Sequence, residues 1–347
     1  MLDWQTLVRM LDADLARLDI ALMNLACAQG LPGSNRIDWS LCLGTLDDWA
    51  VRCSRFTERV MPAFRRGQCD YPESEPKFRV QAMITHLQRD IGVRYHPGRI
   101  AEDAVFQPED SFVYGVIQGQ GGTCGNLPVV YAAVGRRMGY PLMLGTTKNH
   151  LFSRWDALPG GECFNIEASG EGVSFFDDNH YRTGRFEMPI ETVMACGYIE
   201  SLSPREELAS FMCQRAECWM QEKNYQEAVT TFAWANELES RREQYAFLTW
   251  QAMKVWHETQ VARIPSRLFP KLDLGLPPQQ FRRLTRLAER EIIGMRVTED
   301  LLNDPDLERR WWAPLRRNPY RRPDGMPETL RIDFRWNRPA REAVLVA

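Results

Sequence analysis

The chain has 347 residues, 44% of them hydrophobic and 26% charged, with a formal net charge of -3. That length suits about two structural units sharing a buried interface, and the composition is that of an ordinary globular protein. The balanced charge names no partner, and nine scattered cysteines, an odd number, do not read as a secreted disulfide framework.

No basic stretch precedes an apolar run near Met1, and no window approaches the roughly 18 consecutive apolar residues of a membrane span, so a soluble protein of the reducing cytoplasm is expected. Residues 3–29 predict one long helix, with Trp4, Val8, Leu11, Leu15, Leu18, Leu22 and Leu25 alternating steps of four and three. Those steps also suit a coiled-coil seam, but Ile20 to Ala28 is apolar nearly all the way round, which favours a buried helix ended by Gly30-Leu31-Pro32-Gly33. A second helix over about 46–65 puts Leu46, Trp49, Ala50, Cys53, Phe56 and Val60 on one face, and a third spans about 76–91. From 92 to 122 Pro, Gly and charged residues break the pattern, an irregular stretch of the kind that walls a site.

The segment Gly121-Gly122-Thr123-Cys124-Gly125-Asn126-Leu127-Pro128 comes next, and a helix is expected to begin at Cys124, because glycines permit a sharp turn and proline is tolerated in a first helical turn. Val130, Tyr131, Val134 and Met138 continue it at helical spacing, Gly139 fits the position just past its end, and Pro141 forbids continuation. Strand-like runs follow over 142–147, 150–155, 163–168 and 173–176, so a helix feeds an antiparallel sheet. Over 204–258, Trp219, Asn224-Tyr225-Gln226-Glu227-Ala228, Phe232, Ala235 and Glu237-Leu238 fall at the spacings of a tetratricopeptide helix pair, and a third helix over 241–258 opens a weaker second unit. One repeat cannot bury its own apolar face, so this region is expected to pack on what precedes it.

The tail over 281–347 holds fifteen Arg, no Lys and eleven acids among Trp311, Trp312, Tyr320, Phe334 and Trp336. The whole chain prefers Arg over Lys and the local excess of charge is small, so a structural wrapping tail is expected rather than a nucleic-acid surface. The expected organisation is an N-terminal helical segment over 1–91, a core over 92–203, tetratricopeptide-like helices over 204–265 and an Arg-rich extension over 266–347.

The chemistry concentrates at Cys124. A free thiol is mostly protonated at neutral pH while the thiolate is the nucleophile, so it needs a helix start or a basic partner. His150 stands in an apolar strand before Leu151-Phe152 and supplies the imidazole. Asn165 and Glu167 alternate onto one face of the next strand, and either would orient the ring; Glu167 is preferred because its carboxylate also stabilises an imidazolium. Cys163 alternates onto that face as a small buried residue, and His180 lies in a polar turn after the strands. Gln118, six residues before Cys124, is a tentative oxyanion donor beside the backbone N-H of Cys124.

The motifs Gly122-Thr123-Cys124-Gly125-Asn126-Leu127-Pro128-Val129-Val130-Tyr131, Arg136-Arg137-Met138-Gly139-Tyr140-Pro141 and His150-Leu151-Phe152-Ser153-Arg154-Trp155 resemble the transglutaminase-like superfamily, more narrowly its bacterial SirB-type branch. That resemblance implies an α+β fold: a papain/transglutaminase-like core, a helix packed on an antiparallel sheet, between N-terminal helices and a C-terminal tetratricopeptide-like region. It implies Cys124 as nucleophile, His150 as base and Glu167 as third member, although the superfamily generally has Asp followed by Pro where Glu167-Ala168 stands.

The glycines before Cys124 match neither a dinucleotide fingerprint nor a P-loop, and the five histidines form no Cys/His cluster, so neither cofactor nor metal is expected. Two functions compete. One is a cysteine-dependent acyl-transfer enzyme hydrolysing a peptide or amide bond of a protein or peptide substrate; the other is an idle core whose tetratricopeptide-like helices bind a protein partner. Nucleic acid and membrane are not expected partners.

Overall fold

The computed structural model describes residues 2–99, 107–147, 150–183, 188–261, 331–336 and 341–346. The chain forms two compact units, Met1–Phe269 and Pro270–Ala347. In the first, α1 (Trp4–Leu7), α2 (Asp12–Leu15) and α3 (Ile20–Ala28) replace the single helix expected over 3–29. The reason is local competition for backbone donors. Asp3 Oδ1 accepts the Thr6 N-H at 2.8 Å, and Asp19 Oδ1 accepts those of Ala21 and Leu22 at 2.7 and 3.1 Å, so each carboxylate caps a new helix. Leu11, counted on the apolar stripe, is 71% exposed in consequence. In α3 every residue except Leu22 is buried, as a helix apolar nearly all the way round requires, and its one polar residue, Asn24, accepts the Val113 N-H at 2.9 Å.

Helix α4 (Trp39–Arg65) starts ahead of the expected position because Asp38 caps it, accepting the Leu41 N-H at 3.0 Å. Ser74 caps α5 (Glu75–His86), which widens into one turn of π-helix over Leu87–Ile91 and ends at Gly92, whose φ of +92° suits glycine. The stretch read as irregular contains two short helices, α6 (Pro108–Ser111) and α7 (Val113–Ile117).

Helix α8 (Leu127–Arg137) is the centre of the unit, buried from Leu127 through Gly135. It lies against a four-stranded antiparallel sheet in the order β1 (Leu142–Thr147), β2 (His150–Asp156), β3 (Cys163–Glu167), β4 (Ser174–Phe176). Ser153 of β2 donates to the Pro128 carbonyl at 3.1 Å, fixing sheet to helix. The fold is therefore mixed α+β.

After α9 (Ile190–Cys196) come α10 (Pro204–Gln221), α11 (Tyr225–Leu238) and α12 (Glu243–Val261). Helix α10 begins with a reciprocal cap between Ser203 and Glu206 and runs back across the earlier elements. Its buried Arg215 donates to the Cys27 and Gln29 carbonyls at 2.8 and 2.6 Å, placing a cation at the C-terminal end of α3. Its Glu207 accepts from Arg136 of α8 at 3.1 Å. These bonds make α10 a wall of the same body that carries Cys124.

In the second unit the described residues form one antiparallel hairpin, β5 (Arg331–Trp336) with β6 (Arg341–Val346). The expectation of a wrapping Arg-rich tail otherwise falls outside the described residues. Among those residues no helix is long and apolar enough to cross a membrane.

Candidate active site

Cys124 sits in a turn built by its neighbours. The Thr123 N-H donates to Asn126 Oδ1 at 2.8 Å while Thr123 Oγ1 accepts the Gly125 N-H at 3.0 Å, a reciprocal cap around the thiol. Asn126 Nδ2 donates to the Glu109 and Phe112 carbonyls at 2.9 and 3.0 Å, and Thr123 Oγ1 to that of Asp110 at 2.6 Å, so the turn is anchored on α6 and its exit. The approach needs glycine twice. Gly121 has a φ of +93°, and a Cβ on Gly122 would lie 2.6 Å from Asn126 Oδ1 and from Leu127 Cγ.

The expected helix start at Cys124 needs correction. The Leu127 N-H closes one turn on the Thr123 carbonyl at 3.0 Å, but Pro128 has no N-H for the next rung, so the regular helix begins at Leu127. Cys124 therefore lies in the capped turn just ahead. Its backbone N-H makes no hydrogen bond among the described residues.

His150 opens β2, opposite Thr147 of β1. The register of β2 on β3 pairs Ser153 with Ile166, which sets Glu167 diagonally from His150 on the same face. His150 Nε2 and Glu167 Oε1 are 2.6 Å apart. The Cys124 thiol also acts on the ring, favouring its charged form through hydrogen bonding and charge. Burial by itself lowers the imidazole pKa; hydrogen bonds and charges from Cys124 and Glu167 outweigh it and raise the value to about 9. His150 is thus held as imidazolium at neutral pH.

Tyr181, which the sequence reading passed over beside His180, completes the support. Its hydroxyl donates to Glu167 Oε1 at 2.5 Å, and its fully buried ring stacks on Phe152 at 4.2 Å. Burial, then the charge of Glu167, push the phenol pKa upward, so it stays a donor.

Asn165, the alternative third member, is directly opposite Arg154. Its Oδ1 accepts from Arg154 at 2.6 Å and its Nδ2 donates to Asp178 at 2.9 Å, which occupies its amide away from the imidazole. Gln118, the tentative oxyanion donor, ends α7 as an exposed residue and does not line the cavity beside Cys124. Nor does His180, which stacks on Phe176 at 3.7 Å. Cys163 is half-buried, with its thiol pKa pushed up chiefly by burial.

Cys124 and His150 form one side of a cavity of about 270 Å³ whose other lining includes Gln214 and Glu217 of α10 and Arg242 and Tyr245 at the start of α12. Gln214 Nε2 donates to the Gly125 carbonyl at 3.0 Å, tying α10 to the turn that holds the thiol. A sequence signal for this wall does exist: Ser210, Cys213, Gln214, Glu217 and Gln221 are polar or thiol residues recurring at steps of three and four on one helix face. Among the described residues no group of three or more His, Cys, Asp or Glu is arranged to hold a metal ion. No family model, no curated protein and no solved structure matches the chain.

Proposed function

We propose that the chain is a cysteine-dependent acyl-transfer enzyme that hydrolyses a peptide or amide bond. The observation that carries this reading is the His150 ring, held by Glu167 at 2.6 Å and lining one cavity together with the Cys124 thiol. An imidazolium is the counter-ion that an attacking thiolate needs, and the half-buried Glu167 carboxylate keeps it charged and oriented.

In this mechanism Cys124 Sγ attacks the carbonyl carbon, and the electron pair of the C=O bond moves to its oxygen. The Cys124 N-H, unengaged among the described residues, is the donor for that oxyanion. As the C-N bond breaks, His150 gives its proton to the departing amine, leaving a thioester. The neutral imidazole then takes a proton from water as its oxygen attacks the thioester, and the carboxylic acid leaves as Cys124 departs from carbon.

A papain- and transglutaminase-like core is supported by the order of parts: a thiol before a central helix, then His and a carboxylate on successive antiparallel strands. Glu167 followed by Ala168 departs from the superfamily's Asp-Pro, and the Tyr181 bond gives the longer carboxylate a second anchor. A tetratricopeptide-like reading of α10 and α11 is supported by their length and by the Asn224 turn between them. Of the two, α10 would serve the cavity directly as well as any protein partner.

The test is limited alkylation with iodoacetamide at about pH 7, with each cysteine followed by mass spectrometry. Cys27, Cys42, Cys53, Cys196 and Cys218 are buried, so Cys69, Cys163 and Cys213 are the competitors. Cys124 is expected to react first, and His150→Ala to remove that preference. Labelling of Cys124 no faster than Cys69 would overturn the catalytic reading and leave an idle, partner-binding protein.

A further inference from the structure

We propose that Arg242 binds an anionic oxyacid group of the substrate, a carboxylate or a phosphate, and so determines the specificity of the cavity that holds Cys124. This inference rests on the reading of Cys124 as nucleophile.

Arg154, Arg215 and Arg242 are the buried arginines among the described residues. The first two have found strong acceptors: Arg154 meets Asp178 at 2.6 Å, and Arg215 meets two carbonyls at 2.8 and 2.6 Å. Arg242 has not. At 1% exposure it reaches, among the described residues, only the Tyr245 hydroxyl and the Gly197 carbonyl, both at 3.5 Å, the outer limit of a hydrogen bond. Its Nε has no partner among the described residues.

Among the described residues no carboxylate hydrogen-bonds it. Glu239 Oε1 is engaged by the backbone and side-chain nitrogens of Arg241 at 2.9 and 3.3 Å, and its charge acts on Arg242 without a hydrogen bond. Glu217 lines the same cavity, but its side-chain contact is the Cys213 thiol at 3.9 Å, and Arg242 does not act on its carboxyl. What steadies the guanidinium is aromatic: it lies 5.2 Å from the Tyr198 ring centroid and 5.8 Å from that of Tyr245.

A buried charge without an ion-paired partner is destabilising, and a planar guanidinium beside two rings carries donors in a fork that matches the paired oxygens of an oxyacid. Arg242 lines the cavity that Cys124 and His150 share, so the anion and the scissile carbonyl belong to one short substrate. The volume of about 270 Å³ lies near the lower end of small-molecule sites and admits such a substrate rather than a folded chain. The substrate class is an amide or short peptide bearing an acidic group near the bond that breaks.

Two alkylating reagents of similar size separate the charge preference from the nucleophile: iodoacetate, an anion, and iodoacetamide, which is neutral. On the full chain the iodoacetate-to-iodoacetamide rate ratio at Cys124 is expected to exceed that at Cys69 by about tenfold or more, a charge-assisted contact being the cause. The His150 imidazolium also attracts iodoacetate, so the decisive comparison is with Arg242→Gln, in which the ratio falls about tenfold, with partial recovery in Arg242→Lys. An unchanged ratio in folded Arg242→Gln overturns the proposal.

The wild-type chain gives a second test that does not depend on the variant folding. Glutarate or inorganic phosphate should slow iodoacetamide at Cys124 saturably, while glutaramide and chloride at matched ionic strength should not. Protection by glutarate alone identifies a carboxylate, protection by phosphate alone identifies a phosphate, and protection by neither overturns the proposal. Loss of Cys124 selectivity toward neutral iodoacetamide would instead overturn the nucleophile reading, so the two failures are distinct.

Discussion

Tyr181 donates its hydroxyl to Glu167 Oε1 at 2.5 Å, the same oxygen that meets His150 Nε2 at 2.6 Å. The phenol and the imidazole thus draw on one carboxylate oxygen, and each weakens the other's hold. Tyr181→Phe keeps the ring stacked on Phe152 and removes only the hydroxyl. The expected outcome is a His150 pKa raised further above about 9, because all of the oxygen's charge then faces the imidazole. Stability should fall by about 1.5–3 kcal/mol for the lost bond to a charged acceptor. NMR titration of His150 and urea unfolding measure the two effects; a downward pKa shift contradicts the shared-oxygen account.

The raised pKa of His150 also makes stability depend on pH. The folded value of about 9 lies above the ordinary 6.5, so folding retains the proton. The stabilisation is fully present below pH ~6.5 and is lost as pH rises through about 9. Its size is of the order of 3 kcal/mol, at ~1.4 kcal/mol per pKa unit. The stability difference between wild type and His150→Gln, followed by urea unfolding, should shrink across that window. A difference that grows with pH contradicts the assignment.

Asn165 and Glu167 separate by variant. Asn165→Ala strips an acceptor from Arg154 and a donor from Asp178, so a loss of about 1–3 kcal/mol is expected while Cys124 keeps its alkylation preference. Glu167→Gln should do the reverse: a modest stability change, but a His150 pKa drawn down by uncompensated burial and a Cys124 that no longer reacts first. Alkylation mapping of both variants decides; a loss of preference in Asn165→Ala restores Asn165 to the triad.

This pair also marks how far the sequence could be read. Period-two alternation put Asn165 and Glu167 on one face, but only the register, with Ser153 against Ile166, decides which is beside His150 and which is opposite Arg154. The core strands were legible because Gly and Pro punctuate short apolar runs, and Cys124 with His150 because their residue types are uncommon in such positions. Periodicity predicts one N-terminal helix, but Asp19 outcompetes a continuous ladder, a choice that hydrophobic periodicity does not register. The far wall of the cavity is legible only in part. The polar stripe of α10 marks a face with a purpose, but that this face and Arg242 meet Cys124 depends on the docking of α10 and α12, a tertiary event with no local signature.

Glu217 provides the last expectation. It keeps an open surface toward the cavity while protein surrounds it, and that desolvation pushes its carboxyl up to about 7, with a Cys213 thiol contact at 3.9 Å opposing the rise. Below that pH the cavity presents a neutral acid and the Arg242 cation; above it a carboxylate is added to the same lining. The preference of Cys124 for iodoacetate over iodoacetamide should therefore decline as pH rises through about 7, well before His150 deprotonates near 9. Glu217→Gln should hold the preference flat across the lower window while leaving the decline near 9 in place. Rate ratios measured at closely spaced pH values resolve the two limbs. A single limb near 9 in wild type would mean that Glu217 stays in one charge state throughout, and the electrostatics of the cavity would then be set by Arg242 and His150 alone.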